Sequence, residues 1–368
     1  MTMKTTQHTP DLWENIQQYE SILEYLPQAV NNNILTESPL YNQTVSFLEK
    51  YNISHNILIS LSGGVDSMVL LDIFVKIRDV LFTDLNIYCV HINYNNREES
   101  VLERNFLIEY CHHSNVHFEF IDLDFTRSSM KRSTYESDTR NIRYKSYKTM
   151  CELYHCAGVF LAHHKDDICE NIFNNIMRGG REITDLSVIK PVSDVLGVTV
   201  YRPMIDFYKK PIIEIAHRFT IPYFLDTTPQ WSCRGHMRQQ IFPACENTYS
   251  DNYKNNLIKL GKESDELNRI LHQMVIDPFF TQHVQITSPH FSIVNHDNAL
   301  CNPAILKIIL RKIAYSMQIP PIKYTNVLTL SNLLENKQKK CKLSLTKNYI
   351  TTISDNTVHF TYTISSDP

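Results

Sequence analysis

The sequence predicts an α/β protein in which a parallel twisted sheet carries helices on both faces, followed by a helical region and a small α+β domain. Three observations predict it. From residue 44 onward short apolar runs alternate with amphipathic stretches of helical length, the rhythm of βαβ units. Residues 58 to 70, "LISLSGGVDSMVL", place a glycine pair between two apolar runs, in a chain with only 8 glycines among 368 residues. After about residue 226 the strand rhythm stops and helical periodicity takes over.

Taken in order, "DLWENIQQYESILEYL" sets Leu12, Ile16, Tyr19, Leu23 and Leu26 on one helical face before Pro27 and "NNN" at 31 to 33 break it. Residues 1–43 therefore read as a helical N-terminal extension. The α/β domain spans 44–226: strand "NILISL", a helix from Asp66, strand "LNIYCVHI", a helix from Glu98, strand "VHFEFIDL", a helix near 137 to 155, strand "GVFLAH" and a helix from Lys165. A helical linker or substrate region covers 227–296, with its main helix at roughly 245 to 275. A basic C-terminal domain, 297–368, opens with "PAILKIILRKIAYSM" and ends in a Thr/Ile/Tyr-rich tail that reads as short strands. No internal repeat or long low-complexity segment interrupts this order.

At 43% hydrophobic the chain can bury a large core divided over two or three domains. A net charge of −3 excludes a uniformly basic nucleic-acid binder, so any polyanion site must be a local patch. The 9 cysteines include no Cys-x-x-Cys pair; the nearest approach, Cys151 and Cys156 in "CELYHC", lacks zinc or redox spacing, which points to free thiols in a reducing compartment. No run of apolar residues is long enough for a transmembrane helix, and "MTMKTTQHTP" lacks the apolar core of a signal peptide. Before Lys50 the sole Lys or Arg is Lys4, against Asp11, Glu14, Glu20, Glu24, Glu37 and Glu49, the reverse of a transit peptide. The expectation is a cytoplasmic protein without membrane association.

The glycine pair sits where an open α/β sheet binds ligands, at the carboxyl end of a strand, with the following helix aiming its N–H groups and positive end at an anion. Gly63 and Gly64 allow a tight turn and close approach of a phosphate, and the hydroxyls of Ser62 and Ser67 add donors. An ordinary Gly-Gly turn capped by Asp or Ser is the competing reading. The lysine of G-x-x-x-x-G-K-[ST] is missing, so cleavage elsewhere than at a γ-phosphate is expected. In "HHKDDICEN", Asp167 and Glu170 stand three apart on one helical face, able to hold a metal or an ammonium group and to take its proton. His163 and His164 precede them without further ligands at zinc spacing. Arg97, Arg140, Arg143, Arg178 and Arg181 flank these motifs as phosphate clamps, Arg178 foremost. Between residues 301 and 350 Lys307, Arg311, Lys312, Lys323, Lys337, Lys339, Lys340, Lys342 and Lys347 face the lone acid Glu335, with Tyr315, Tyr324 and Tyr349 interleaved, a pattern suited to RNA.

"SGGVDS", "CVHINYNNR", "LAHHKDDICENIFNNIMRGG" and "YRPM" resemble, in order and spacing, the PP-loop ATP pyrophosphatases and, within them, the tRNA(Ile)-lysidine synthetase family. "LDTTPQWSCRGHMRQQIFP" is similar to that family's segment carried here by Asp226, Arg234, Arg238 and Pro243, and "KQKKCKLSLTKNYITTISDNTVHF" to its C-terminal substrate region. The resemblance covers roughly residues 44 to 362. It implies that ATP adenylates the C2 oxygen of the anticodon's first cytidine, releasing pyrophosphate, and that lysine then displaces AMP. It assigns Ser62, Gly63, Gly64, Val65, Asp66, Ser67 and His91 to ATP; Asp66, Asp167, Glu170 and Arg178 to catalysis; Asp66 and Asp167 to Mg2+; and Arg97, Arg234, Arg238, Lys337, Lys339 and Lys340 to tRNA. The implied partners are tRNA(Ile) with a CAU anticodon and free L-lysine, with a homodimer as the oligomeric option. Departures stand at Ile168, Cys169 and Asn171, at Gly235, His236 and Met237, and in "HINYNNR". They leave room for another PP-loop tRNA modification such as thiolation, which the missing Cys-x-x-Cys disfavours, or for a non-catalytic RNA-binding protein with a decayed loop. An amidotransferase is not expected, since residue 2 is Thr and only about 43 residues precede the loop.

Overall fold

The computed structural model describes residues 32–93, 100–123, 132–179, 182–224, 232–336, 340–346, 348–354 and 356–363. The chain divides into two compact units between Lys262 and Glu263, upstream of the boundary at 296 expected from sequence.

The first unit opens with helix α1 (Pro39–Lys50), started by the Ser38 hydroxyl, which accepts from the Tyr41 N–H at 3.1 Å, and by a proline at its first position. Strands β1 (Asn56–Ser60), β2 (Asn86–Asn93), β3 (His117–Asp122) and β4 (Val159–Phe160) alternate with α2 (Val65–Val80), α3 (Ser100–His113), α4 (Arg132–Leu153) and α5 (Lys165–Arg178). A hairpin, β5 (Val192–Val195) and β6 (Val198–Tyr201), precedes α6 (Lys209–Arg218). The sheet order is β3-β2-β1-β4-β6-β5, parallel except for the β5–β6 pair. The chain thus runs outward through β2 and β3 and returns to the other side of β1 with β4, making a topological switch point between β1 and β4. Ile57, Leu58 and Ile59 are all buried, as befits a central strand covered on both faces. The β5–β6 hairpin was not legible as strand: each arm has four residues, and its turn rests on Leu196 (φ 53°) and Gly197 (φ 76°).

Within the packing of α2 on α3, the Tyr110 hydroxyl donates to Asp72 Oδ1. Burial pushes the Asp72 carboxyl up to about 6, although that hydrogen bond pulls it down. A raised folded-state pKa means that stability present at acid pH is lost as pH rises from the unfolded value toward about 6. Asp72→Asn, which keeps an acceptor for Tyr110, is therefore expected to raise Tm near neutral pH and to lose that advantage in acid, measured by thermal melts across pH.

The expected helix near 245 to 275 is Phe242–Tyr249 followed by Asn252–Leu271. Two π-helical turns, Met237–Ile241 and His272–Ile276, each run into a proline, Pro243 and Pro278, whose absent N–H breaks the regular ladder. Gly261 lets the Asn252–Leu271 helix close on α5, since a Cβ there would lie 2.5 Å from Ile172 Cδ1.

The second unit is an antiparallel sheet, β7 (Val284–Thr287), β8 (His290–Val294), β9 (Lys340–Thr346), β10 (Tyr349–Ser354) and β11 (Thr357–Tyr362), in the order β7-β8-β11-β10-β9. Helices Pro303–Met317 and Tyr324–Glu335 share its core, where Ile293, Leu306, Ile309, Ile313, Leu330, Val358 and Phe360 meet. β7 and β8 fall in a stretch expected to be helical, because β8 finds its partner β11 only across the intervening helices. Tyr349 belongs to this core, with its hydroxyl on Pro320 O at 2.5 Å, so it is no platform for a base. Cys89, Cys111, Cys151, Cys156, Cys169, Cys233, Cys245 and Cys301 are free thiols, and among the described residues no helix is long and apolar enough to cross a membrane.

Candidate functional site

The turn after β1 and the turn after β4 come from neighbouring strands at the switch point. In the first, Ser62 N donates to Ser67 Oγ at 3.2 Å, the two serine hydroxyls lie 3.0 Å apart, and Ser67 Oγ donates to Gly64 O at 3.0 Å. The His91 ring nitrogen Nδ1 lies 2.9 Å from Leu61 O and braces the base of the turn from β2. The two glycines serve different ends. Gly63 has φ +82°, and a Cβ on it would meet the Phe224 ring at 2.6 Å. Gly64 has an ordinary φ of −71° and would meet only Ser62 Oγ, at 3.5 Å. As the N-cap of α2, Gly64 offers no side chain to the first-turn N–H groups of Val65, Asp66 and Ser67, which leaves them for an anionic ligand.

These differences set opposite expectations for two alanine substitutions. Gly63→Ala adds left-handed strain and an overlap with Phe224, and should cost about 3 kcal/mol of stability. Gly64→Ala, with an ordinary φ and no overlap, should cost no more than about 1 kcal/mol as a poorer N-cap, yet bind ATP poorly, because its methyl stands beside the N–H groups that an anion would approach. Equal ATP binding by Gly64→Ala and wild type would remove the phosphate-cradle reading.

Asp66, in the first turn of α2, receives Lys209 Nζ on Oδ2 at 2.6 Å. Its Oδ1 is buried without a hydrogen bond, 3.7 Å from His164 Nε2. Burial raises the Asp66 pKa, but His164 and Lys209 outweigh it and leave the carboxyl below its ordinary value. His164 stands among three carboxylates: Nε2 is 3.7 Å from Asp66 and 3.5 Å from Asp167, and Nδ1 is 3.7 Å from Asp166. Burial disfavours its charge, yet Asp66 and Asp167 raise its pKa overall, and the ring links the β1 turn to the acidic start of α5. Its neighbour His163 is the opposite case. Arg202 Nε donates to His163 Nδ1 at 3.0 Å, and burial lowers the ring to about 4, so His163 is neutral.

On α5, Asp167 and Glu170 are both buried and share two guanidinium groups. Arg234 donates through Nη2 to Asp167 Oδ1 at 2.6 Å and through Nε to Glu170 Oε2 at 2.5 Å. Arg238 donates through Nε to Glu170 Oε1 at 2.5 Å, with Nη2 3.4 Å from Asp167 Oδ1 and from Glu170 Oε2. Asp167 Oδ2 accepts from the His164 backbone N–H at 3.0 Å. Burial raises the Asp167 carboxyl, but His164 and Arg234 hold it down at about 2. Asp166 accepts from Lys209 N at 2.8 Å and pairs with Lys254 Nζ at 3.2 Å, which fixes the start of α6 against the start of α5.

The structure thus brings together Ser62, Gly63, Gly64, Val65, Asp66, Ser67, His91, Asp167, Glu170, Arg234 and Arg238. Arg178 stands apart. It is exposed at the far end of α5, about 16 Å along the helix axis from Asp167, because eleven residues rise that far. Arg97, Lys337 and Lys339, with Asp226 and Arg181, lie outside the described residues, and of Lys340 only its place at the start of β9 is described. In the basic unit Lys312 Nζ pairs with Asp277 at 2.5 Å and Lys307 lies over the Tyr324 ring, whereas Tyr315 is 89% exposed. Lys209 and Arg202 were missed from sequence. Lys209 reaches Asp66 across 143 residues, beyond any local motif, although "YRPM" had marked Arg202.

Among the described residues no three His, Cys, Asp or Glu side chains gather as a metal site. Mg2+ commonly rests on one or two carboxylates plus substrate phosphates, and the unpartnered Asp66 Oδ1 beside the Gly64 turn fits that mode. Both oxygens of Asp167 are already engaged.

A family profile described as a PP-loop domain matches residues 37–245. The chain is 31% identical over 227 residues to tRNA(Ile)-lysidine synthase of Chlamydia muridarum, covering 61% of this chain and 68% of that protein. It is 28% identical over 236 residues to tRNA(Ile)-lysidine synthase of Chlamydia caviae, covering 63% and 71%. Among solved structures, the U34-tRNA thiolase NcsA from Methanococcus maripaludis, bearing a 4Fe-4S cluster, superposes with TM-score 0.51 at 13% identity, over 64% of this chain and 81% of that one. At that identity the likeness is one of fold.

Proposed function

The chain belongs to the PP-loop family, and from that membership we propose that it is an ATP-dependent tRNA-modifying ligase that joins lysine to C2 of the wobble cytidine of tRNA(Ile). The observation that carries the reading is the juxtaposition at the switch point: an anion-binding turn and a buried Asp167–Glu170 pair, joined through His164 at 3.7 and 3.5 Å. One turn suits a leaving pyrophosphate and the other an incoming ammonium.

In this reading the N–H groups of Val65, Asp66 and Ser67, with the hydroxyls of Ser62 and Ser67, hold the β- and γ-phosphates while the cytidine O2 attacks the α-phosphorus. Lys209 supplies from α6 the cation that the loop motif lacks, moving from Asp66 to the departing pyrophosphate. Asp66 would hold Mg2+ through Oδ1, and that ion offsets the charge accumulating on the phosphates. Asp167 and Glu170 then receive the lysine ammonium and accept its proton, freeing the amine to attack C2 and displace AMP. Arg234 and Arg238 serve RNA phosphates, as does the basic segment with Lys337, Lys339 and Lys340; Arg97 and Arg178 supply outer phosphate contacts.

The same reading assigns residues 44–226 to catalysis, 227–296 to linkage and substrate, 297–368 to the tRNA body and 1–43 to an extension. It puts the enzyme in the cytoplasm, acting on a CAU anticodon, with a homodimer as the oligomeric option. The test is to incubate protein, ATP, labelled lysine and a mixed tRNA pool. Label should enter RNA with one AMP and one pyrophosphate formed per lysine, whereas ADP and phosphate as products would overturn the assignment.

A further inference from the structure

We propose that Arg234 and Arg238 plug the amine site in the free protein and that RNA phosphate withdraws them, so that lysine enters only after the RNA is seated. This rests on the reading of Asp167 and Glu170 as the amine-binding pair. All four carboxylate oxygens are engaged: Asp167 Oδ1 by Arg234, Asp167 Oδ2 by the His164 N–H, Glu170 Oε2 by Arg234 and Glu170 Oε1 by Arg238. Every oxygen an ammonium would approach already carries a donor, and three of the four carry a guanidinium N–H, so the positions next to the carboxylates are filled by positive charge.

Charge balance leads to the same order of events. Two buried carboxylates face two guanidinium groups, so the charge of the pair is already balanced and a further cation entering an unchanged cluster would be held in excess positive charge. Lysine must replace an arginine rather than join it. The carboxylate side chains are only 7% and 5% exposed, whereas those of Arg234 and Arg238 are 45% and 27% exposed. The guanidinium groups therefore present a solvent side to which a phosphate can bind bidentately, exchanging one charge-assisted pair for another. Arg238 sits in the π-helical turn Met237–Ile241, a backbone irregularity that often accompanies functional sites.

Phosphate could reach the arginines from RNA or from ATP, and binding measurements separate the two. Labelled lysine is dialysed to equilibrium against the full chain alone, with a non-hydrolysable ATP analogue, with tRNA, and with both. The apparent lysine affinity should tighten by about 10-fold or more with tRNA, as expected when a closed state dominates the free protein, and should stay unchanged with the ATP analogue alone. Arg238→Gln should raise lysine binding in the absence of RNA; Arg234→Gln replaces it if circular dichroism shows the first variant misfolded. Equal lysine affinity with and without tRNA overturns the plug, and does so even if turnover still carries label into RNA, which preserves the proposed function. A full gain from the ATP analogue alone, or no gain in the arginine variants, overturns it as well. Lysine binding in no arm, together with unlabelled RNA after turnover, rejects the amine-site reading itself.

Discussion

Asp66→Asn should lower ATP-dependent pyrophosphate release by about 10²-fold or more, the usual consequence of losing one preorganised electrostatic contact at a developing charge. The substitution preserves size and removes charge at the point where three elements meet. Asp66 belongs to α2, its Oδ2 partner Lys209 to α6, and His164, 3.7 Å from Oδ1, to the turn after β4. An amide carries no charge to pair with Lys209 and His164, so both lose the group that spaces them, and under the proposed function the Mg2+ site at Oδ1 is lost as well. The fold should survive, because Asp66 and Lys209 are partly solvated, at 24% and 28% side-chain exposure, and such a pair contributes little stability. Single-turnover release of pyrophosphate, with a thermal melt as control, measures both halves. A variant that turns over normally would show that Asp66 only caps its helix.

What the sequence disclosed and what it hid divide along contact range. The βαβ rhythm, the turn at residues 62 to 67 and the Asp167–Glu170 spacing are local patterns, legible because strand and helix periods and turn chemistry act within a few residues. Each partner that gives those groups their electrostatic state comes from elsewhere. Lys209 lies 143 residues from Asp66, and Arg234 and Arg238 lie 64 and 68 residues from Glu170. Spacing identified two carboxylates on one face; it could not reveal that both were occupied by arginines the same reading had assigned to RNA. The tandem histidines make the same point. "HH" is symmetric in sequence, yet burial lowers the pKa of His163, whose ring accepts from Arg202, while the carboxylates around His164 raise its pKa. Arg178 shows the converse: its position before two glycines suggests a place beside the carboxylates, but it ends α5 eleven residues beyond Asp167, which leaves it an outer role only.

Glu170→Gln should raise the apparent KM for lysine by about 10- to 100-fold, the range expected from losing one hydrogen bond to a charged group, while shifting the KM for ATP by no more than about 2-fold. Glu170 touches no part of the turn at residues 62 to 67; its described partners are Arg234 and Arg238, and the chain of contact to Asp66 runs through Asp167 and His164. The nucleotide should therefore be nearly blind to the change. The amine should not be, because the amide offers one acceptor oxygen where the carboxylate offered two, carries no charge to hold an ammonium and takes up no proton at neutral pH. Asp167→Asn should act more broadly, since Asp167 also holds the His164 backbone N–H and faces its ring, and through that ring reaches Asp66. Initial rates with lysine and ATP varied in turn distinguish the two carboxylates. If Glu170→Gln raised both KM values equally, the pair would be holding a metal shared by both half-reactions, because only a group common to nucleotide and amine can transmit the loss of one carboxylate to both.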